Sequence, residues 1–418
     1  MRGIFVVLGV VLSSLACTGA AAAGTLETVV VPSRFVDAKR VALGAPPPGG
    51  APRANSLAVN VLLPDGYAAN PRGRYPVLYL LHGAAQAYDH WAADGYGEIR
   101  KRARDFPGIV VMPQGGVAGF YSDWVGPGGP RWESYILREL IPAIEARYRV
   151  RPGRRWHAIA GLSMGGYGTM YLAGQRPDYF GSAASFSGVL SPQDDQQLDL
   201  VAQSILGLAI PDFRYREIFG PPDGFNAIGH NPSLTLGNLA ATRLFVSAGN
   251  AAPCAGDDVA PTDFTGLGPQ GSPAFAPPLA ALEGPALFYF LETLVRNETD
   301  RFIARSEAAG LKPTKLLGCG IHWWDTFNRG FDAARRWDFF APPPKAPAAW
   351  TFTTAARSGV AWGFRFSLDR PATALTVLER RGRRLRGTGA GTLRISARGG
   401  CRLTATLPFD RRLPKRCS

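Results

Sequence analysis

Gly161-Leu162-Ser163-Met164-Gly165-Gly166 decides how the rest of the chain is read. The stretch has the G-x-S-x-G pattern of a nucleophile elbow, and its surroundings supply the strand, tight turn and helix that such an elbow needs. Residues 155–160 are a mostly apolar run of strand length, and residues 167–175 are a small-residue segment of helical character. Glycines suit the turn because backbones approach closely there and a Cβ atom would be in the way. Ser163 is the candidate nucleophile.

Working outward, residues 75–81 form a near-continuous apolar run, as expected for a strand covered on both faces of a parallel sheet. The run ends at His82-Gly83-Ala84-Ala85. Residues 108–113 predict the next buried strand, followed by a glycine- and aromatic-rich loop, 114–130, that contains Asp123 and Trp124. A loop at the carboxyl edge of an open α/β sheet is where ligands bind, which makes its aromatics candidate substrate contacts. Trp132, Tyr135, Ile136, Leu140, Ile144 and Tyr148 recur at helical spacing, with Pro142 expected to kink that helix. Further strands are expected at 181–188, 243–248 and 315–319, and helices at 283–310 and 327–340. Residues 189–239 lose periodicity and read as an insertion or lid, while 25–52 reads as an extended segment wrapping the edge. The pattern predicts an α/β-hydrolase: a mostly parallel, doubly wound sheet with helices on both faces.

A proline-rich linker at 341–349 separates this unit, residues 24–340, from a module at 350–418 whose short alternating runs predict a small all-β fold. The chain has 418 residues, 46% hydrophobic and 19% charged, which is ordinary globular composition. Its formal charge of +14 is lopsided: from Lys345 onward 16 Lys and Arg stand against 3 Asp and Glu. Such a basic module is drawn to an anionic cell-wall or membrane surface, or is a solvated face. Residues 1–23 read as a signal peptide ending in Ala21-Ala22-Ala23, so the protein is expected to be secreted or cell-wall associated, where nucleic acid is not an expected partner. Four cysteines remain after it, and pairing Cys254 with Cys319 and Cys401 with Cys417 keeps each bridge inside one unit. Their spacing fits no metal site, and neither a metal nor a cofactor is expected.

A serine needs a base within hydrogen-bond reach and a third group to orient that base. The α/β-hydrolase order is Ser, acid, His, and His322 stands just past the last strand, whereas His230 falls in the irregular insertion. His157 lies inside the elbow strand and reads as packing; His82 and His90 precede the serine. Asp257 and Asp258, after the 243–248 strand, are both candidate acids by position. The N–H groups of Ala84 and Met164 fall where this fold places its oxyanion donors.

Residues 120–124 (FYSDW), 161–166 (GLSMGG), Ala248-Gly249-Asn250 with Pro253, Phe290-Leu291-Glu292 with Val295-Arg296, and His322 with Trp324 together resemble the secreted mycolyltransferases of the antigen 85 type, within the broader esterase D family. The resemblance runs from about residue 75 to 340. It implies that Glu292 is the acid, giving Ser163, Glu292 and His322 as the triad with Asp258 as the alternative. It implies an acyl ester donor, and hydrolysis or acyl transfer through an acyl-enzyme. Trp324 matches the family's sugar-contacting tryptophan, which implies a sugar or polyol acceptor, and a glycerolipid acceptor is the related alternative. Trehalose-handling members have Asp and, three residues later, Arg where this chain has His82 and Ala85. A non-catalytic surface-binding protein is the competing reading from outside enzymology.

Overall fold

Val77–Leu81, buried at every position, lies in the middle of the main sheet of the computed structural model, which describes residues 24–38, 41, 56–192, 203, 214–257 and 285–417. Eight strands make that sheet: β1 (Leu26–Pro32), β2 (Ser56–Leu62), β3 (Val77–Leu81), β4 (Ile109–Pro113), β5 (His157–Leu162), β6 (Ser182–Phe186), β7 (Arg243–Ala248) and β8 (Thr314–Leu317). Their order is β1-β2-β4-β3-β5-β6-β7-β8. From β4 to β8 every neighbour is parallel, while β2 runs antiparallel to β4 and β1 antiparallel to β2. The expected α/β-hydrolase sheet is present. Strands β3, β4, β5 and β6 are buried throughout because helices cover both faces, and two hydrophobic clusters fill the spaces on either side.

One local expectation is sharpened and another needs correction. The segment expected to wrap the edge contains a regular strand, β1, in register with β2 from Leu26 opposite Leu62 to Pro32 opposite Ser56. The helix carrying Pro142 does not simply kink. A π-helical turn, Ile136–Leu140, lies between helical segments Trp132–Tyr135 and Ile141–Arg147, and the Ile141 N–H reaches back to the Ile136 carbonyl. The widened turn absorbs the donor that proline lacks by placing Pro142 in the first turn of a new α segment, where no intrahelical N–H is needed.

The described part of the insertion packs sideways: Tyr215 and Phe219 lie against Phe120, and Phe219 against Tyr167. Residues 193–202 and 204–213, which belong to the expected lid, lie outside the described residues, as do residues 1–23.

Beyond the proline-rich linker, eight short strands form a sandwich: β9 (Ala349–Thr354), β10 (Ser358–Ala361), β11 (Phe364–Leu368), β12 (Thr376–Arg381), β13 (Arg384–Thr388), β14 (Thr392–Ala397), β15 (Cys401–Thr406) and β16 (Phe409–Arg412). One sheet has the order β10-β11-β14-β15 and the other β16-β13-β12-β9, with every pairing antiparallel. Phe364, Phe366, Leu393 and Ile395 of the first sheet meet Phe352, Leu378 and Leu385 of the second. The sandwich docks on the hydrolase unit through paired amide bonds: Asn238 donates to the Thr353 carbonyl and accepts its N–H, both at 2.8 Å. Disulfides join Cys254 to Cys319 and Cys401 to Cys417.

The Cys401–Cys417 bridge closes a loop of sequence separation 16, for which chain entropy predicts about 3 kcal/mol of stabilisation. Cys401→Ala with Cys417→Ala is expected to lower the stability of the sandwich by about that amount in urea unfolding, while the hydrolase unit unfolds at its unchanged midpoint.

Candidate active site

The strand ends bring the candidate residues together. His82 follows β3, Ser163 follows β5, Ser187 follows β6, Gly249 follows β7, and His322 lies five residues beyond β8, so all gather at the carboxyl edge of the parallel strands. Ser163 has φ 53° and ψ −118°, a conformation that side-chain-bearing residues rarely adopt. The glycines around it answer to close contact. A Cβ on Gly165 would stand 2.5 Å from the Leu81 carbonyl oxygen, and one on Gly161 would stand 2.5 Å from that of Gly165. The elbow therefore packs directly on the end of β3.

His322 Nε2 lies 2.9 Å from the Ser163 hydroxyl, and His322 Nδ1 lies 2.7 Å from Glu292 Oε2. Glu292 projects from the long helix Pro285–Ala308 and has 0% of its surface exposed. Its other oxygen accepts the Ser187 hydroxyl at 2.7 Å and the Gly249 N–H at 2.5 Å. One turn along the same helix, Arg296 donates to the Gly249 carbonyl at 3.1 Å. The helix thus holds the loop after β7 by both sides of a single residue.

The competing acids go elsewhere. Asp257 is paired with Arg329 and accepts the Cys254 N–H at 2.8 Å, inside the loop that the first disulfide closes. Asp258 lies outside the described residues.

Beside the serine, the His82-Gly83-Ala84-Ala85 turn runs so close that a Cβ on Gly83 would stand 3.4 Å from Ser163 Cβ. Ala85 N–H donates to the Val117 carbonyl at 2.7 Å, and Gly83 N–H to the Gln86 side chain at 2.9 Å. The N–H groups of Ala84 and Met164 make no hydrogen bond within the described residues. Met164 opens the helix Met164–Gln175, whose first N–H groups have no intrahelical partner and carry the positive end of the helix dipole.

The three expected substrate contacts are engaged within the protein. Trp324 is 2% exposed and packs edge-on against Trp91 and Tyr96 in the core below the site, so its ring offers no face to a sugar. Asp123 accepts the Ser134 N–H and hydroxyl at 2.8 and 2.6 Å and pairs with Arg131. Trp124 donates its indole N–H to the Gly119 carbonyl at 3.1 Å. The aromatics of that loop turn inward, Phe120 and Tyr121 both being buried on left-handed backbone. It is Trp323, half-buried against Phe288, that stands next to His322.

Ser187 and the Gly249 N–H escape sequence reasoning, since neither a small serine nor a backbone donor has a pattern of its own. His82 escapes it too. Its Nδ1 hydrogen-bonds the Gly83 carbonyl at 2.8 Å and its Nε2 accepts the Gly115 N–H at 2.9 Å, so the neutral ring ties the turn after β3 to the loop after β4. His230 is buried, stacked on Tyr171 and bonded to the Asn226 carbonyl. His157 is stacked flat on Tyr179 at 4.2 Å.

Residues 54–253 match the Esterase family model. Esterase Rv1288 of Mycobacterium tuberculosis is 39% identical over 197 residues, which are 46% of this chain and 42% of that protein. This chain therefore spans less than half the length of that relative. The diacylglycerol acyltransferase/mycolyltransferase Ag85A of Mycobacterium ulcerans is 29% identical over 280 residues, 62% of this chain and 72% of the other. In fold, the chain is similar to Mycobacterium tuberculosis MPT51, with TM-score 0.55 and 20% identity over 76% of this chain and 99% of that one. An S-formylglutathione hydrolase from Staphylococcus aureus gives TM-score 0.51 and 18% identity, again over 76% and 99%.

Burial holds His82 and His157 down at about 4, against an ordinary 6.5. The unfolded chain takes up these protons as pH falls through about 6.5, while the folded protein resists until about 4. The stability that the neutral rings contribute is complete above pH 6.5 and is lost as pH falls toward 4, on the order of 3 kcal/mol for each histidine. Urea midpoints measured from pH 7 to pH 4 should fall along that window, and His82→Gln should flatten the dependence by one proton.

Proposed function

We propose that this chain, a member of the esterase family of α/β-hydrolases, is a secreted serine esterase that works through an acyl-enzyme. The observation that carries the reading is the hydrogen-bonded chain from the Ser163 hydroxyl through His322 to the buried carboxylate of Glu292, at 2.9 and 2.7 Å. Ser163 Oγ attacks the ester carbonyl while His322 Nε2 takes its proton. The Glu292 carboxylate accepts the Nδ1–H, fixes the tautomer and stabilises the imidazolium that forms. Ala84 and Met164 donate their free N–H groups to the oxyanion, each worth about 3 kcal/mol of barrier. The imidazolium then hands its proton to the departing alcohol, and a second cycle with water releases the acid.

Acyl transfer is the second reading, favoured by the similarity to a protein named as a diacylglycerol acyltransferase/mycolyltransferase. An acceptor sugar, polyol or glycerolipid would replace water in the second half-reaction. Hydrolysis is preferred because both ring nitrogens of His82 are committed to the loop and Trp324 is packed away, which leaves neither position for an acceptor. Secretion is supported by the two disulfides, which form in oxidising compartments, and by the apolar N-terminal stretch; no described helix is long and apolar enough to cross a membrane. We assign the basic sandwich to retention on an anionic surface.

With a medium-chain acyl ester and trehalose, glycerol or diacylglycerol present, mass spectrometry is expected to find free acid as the product. Ser163→Ala should abolish it and His322→Ala should lower kcat more than about a hundredfold. An acylated acceptor would overturn hydrolysis in favour of transfer, and a loss under tenfold in His322→Ala would remove His322 from the role.

A further inference from the structure

The sandwich exposes one sheet face with a regular chemistry. In the β10-β11-β14-β15 sheet, Phe364, Phe366, Leu393 and Ile395 point into the core. The alternate residues form two rows across the strands: Val360, Arg365, Ser396 and Arg402 in one, and Ser358, Ser367, Arg394 and Thr404 in the other. Arg365, Arg394 and Arg402 are all exposed. With strands about 4.8 Å apart and same-face residues about 6.8 Å apart along a strand, the three positions stand roughly 8–10 Å from one another, with hydroxyls between them.

No ion pair among the described residues neutralises these three guanidiniums. The module's acids lie off this face. Asp410 takes both arms of Arg384 on the opposite sheet at 2.7 Å, Glu379 lies on β12 of that sheet, and Asp369 accepts the Thr392 N–H just beyond the end of β11.

The face also leads somewhere. Arg365 lines both a shallow depression of about 370 Å³ across the sheet and a cleft of about 900 Å³ between the sandwich and the hydrolase unit. Arg74 and Arg138 stand on the far wall of that cleft. Its carboxylates are already engaged: Glu133 accepts the Tyr171 hydroxyl, Glu145 accepts the Tyr179 hydroxyl, and Asp178 pairs with Arg176. His157, the first residue of β5, lines the cleft, whereas Ser163 stands just past the last. Six strand residues separate the two by about 20 Å, so a chain lying here is at the opposite edge of the sheet from the serine.

We propose that this track, from Arg402 and Arg394 over Arg365 into the interdomain cleft, binds an extended anionic polysaccharide and so holds the enzyme with its active site facing away from the polymer. The proposal rests on reading the basic module as a retention device, and it is independent of the acyl-enzyme chemistry. A polymer fits better than a bilayer for two reasons. None of the exposed large apolar side chains among the described residues, Val30, Val125, Leu234 and Leu316, belongs to the sandwich, so its described surface offers no such anchor to lipid. A flat membrane also cannot follow the track into a cleft.

The test is affinity of the full chain for polygalacturonate, which carries carboxylates, and phosphomannan, which carries phosphodiesters, at low salt, with neutral dextran and phosphatidylglycerol vesicles alongside. Binding to one or both anionic glycans is expected, with R365S/R394S/R402S weakening it about tenfold or more. R381S/R386S/R411S removes the same charge from other positions and should weaken it less than about threefold. Thermal melts of both variants check the fold. Ser163→Ala should bind the glycan as the parent does, which separates this proposal from the catalytic one. Equal losses in the two triple variants, binding to neither glycan, or binding to vesicles alone would overturn it.

Discussion

A carboxylate with no exposed surface sets the terms for this molecule. Burying Glu292 costs several kcal/mol unless its oxygens are matched by donors. The match comes from three separate places: the hydroxyl of Ser187 after β6, the N–H of Gly249 after β7, and the ring of His322 after β8. Each of these loops therefore has one position open to it. The left-handed backbone at Ser187, φ 45°, and the tight passage of Gly249 against Gly320 follow from the need to present those donors. Shift any of the three loops and the carboxylate is left short of a partner in a place that water does not reach.

The same constraint explains why the acid can sit on a helix. In a sheet of this type an acid after β7 would reach the histidine from a loop. Here that loop is tied by the Cys254–Cys319 bridge, and Asp257, its aspartate among the described residues, is paired with Arg329. The long helix brings the Glu292 carboxylate to His322 from the other side. Glu292 and Arg296, one turn apart, grip the N–H and the carbonyl of Gly249, so the helix and the strand end are registered to each other by two charge-assisted bonds.

How much of this the sequence makes legible depends on whether a feature repeats along the chain or closes across it. The elbow, the buried runs of β3 and β5 and the position of His322 are local patterns, and they read directly. Glu292 is legible only through resemblance, because in isolation it is one more acid on a helix. Ser187, the Gly249 N–H and the clamp made by His82 are products of closure, where the partner lies 33 to 105 residues away. The aromatic loop misleads for the same reason: Phe120 and Tyr121 look like exposed contacts until left-handed backbone turns them under the elbow helix. Trp324 opens the last helix of the sheet unit and is buried against Trp91 and Tyr96, a packing that its spacing from His322 does not disclose.

Charge and catalysis are kept at opposite edges of one sheet, and the physics of each favours that separation. A guanidinium cluster near the serine would stabilise an oxyanion but would also oppose formation of an imidazolium at His322, whose countercharge in hydrogen-bond contact among the described residues is Glu292. At the far edge, about 20 Å away, screening over a Debye length of about 8–10 Å leaves little of that field at the site. A basic sandwich can thus carry the net charge of the chain without disturbing the hydrogen-bonded Ser163–His322 pair. The interdomain contacts that enforce the distance, the Asn238–Thr353 pair and the Arg138–Ser358 bonds, are uncharged or singly charged and sit at that same far edge. They fix where the positive face points without bringing it toward the chemistry.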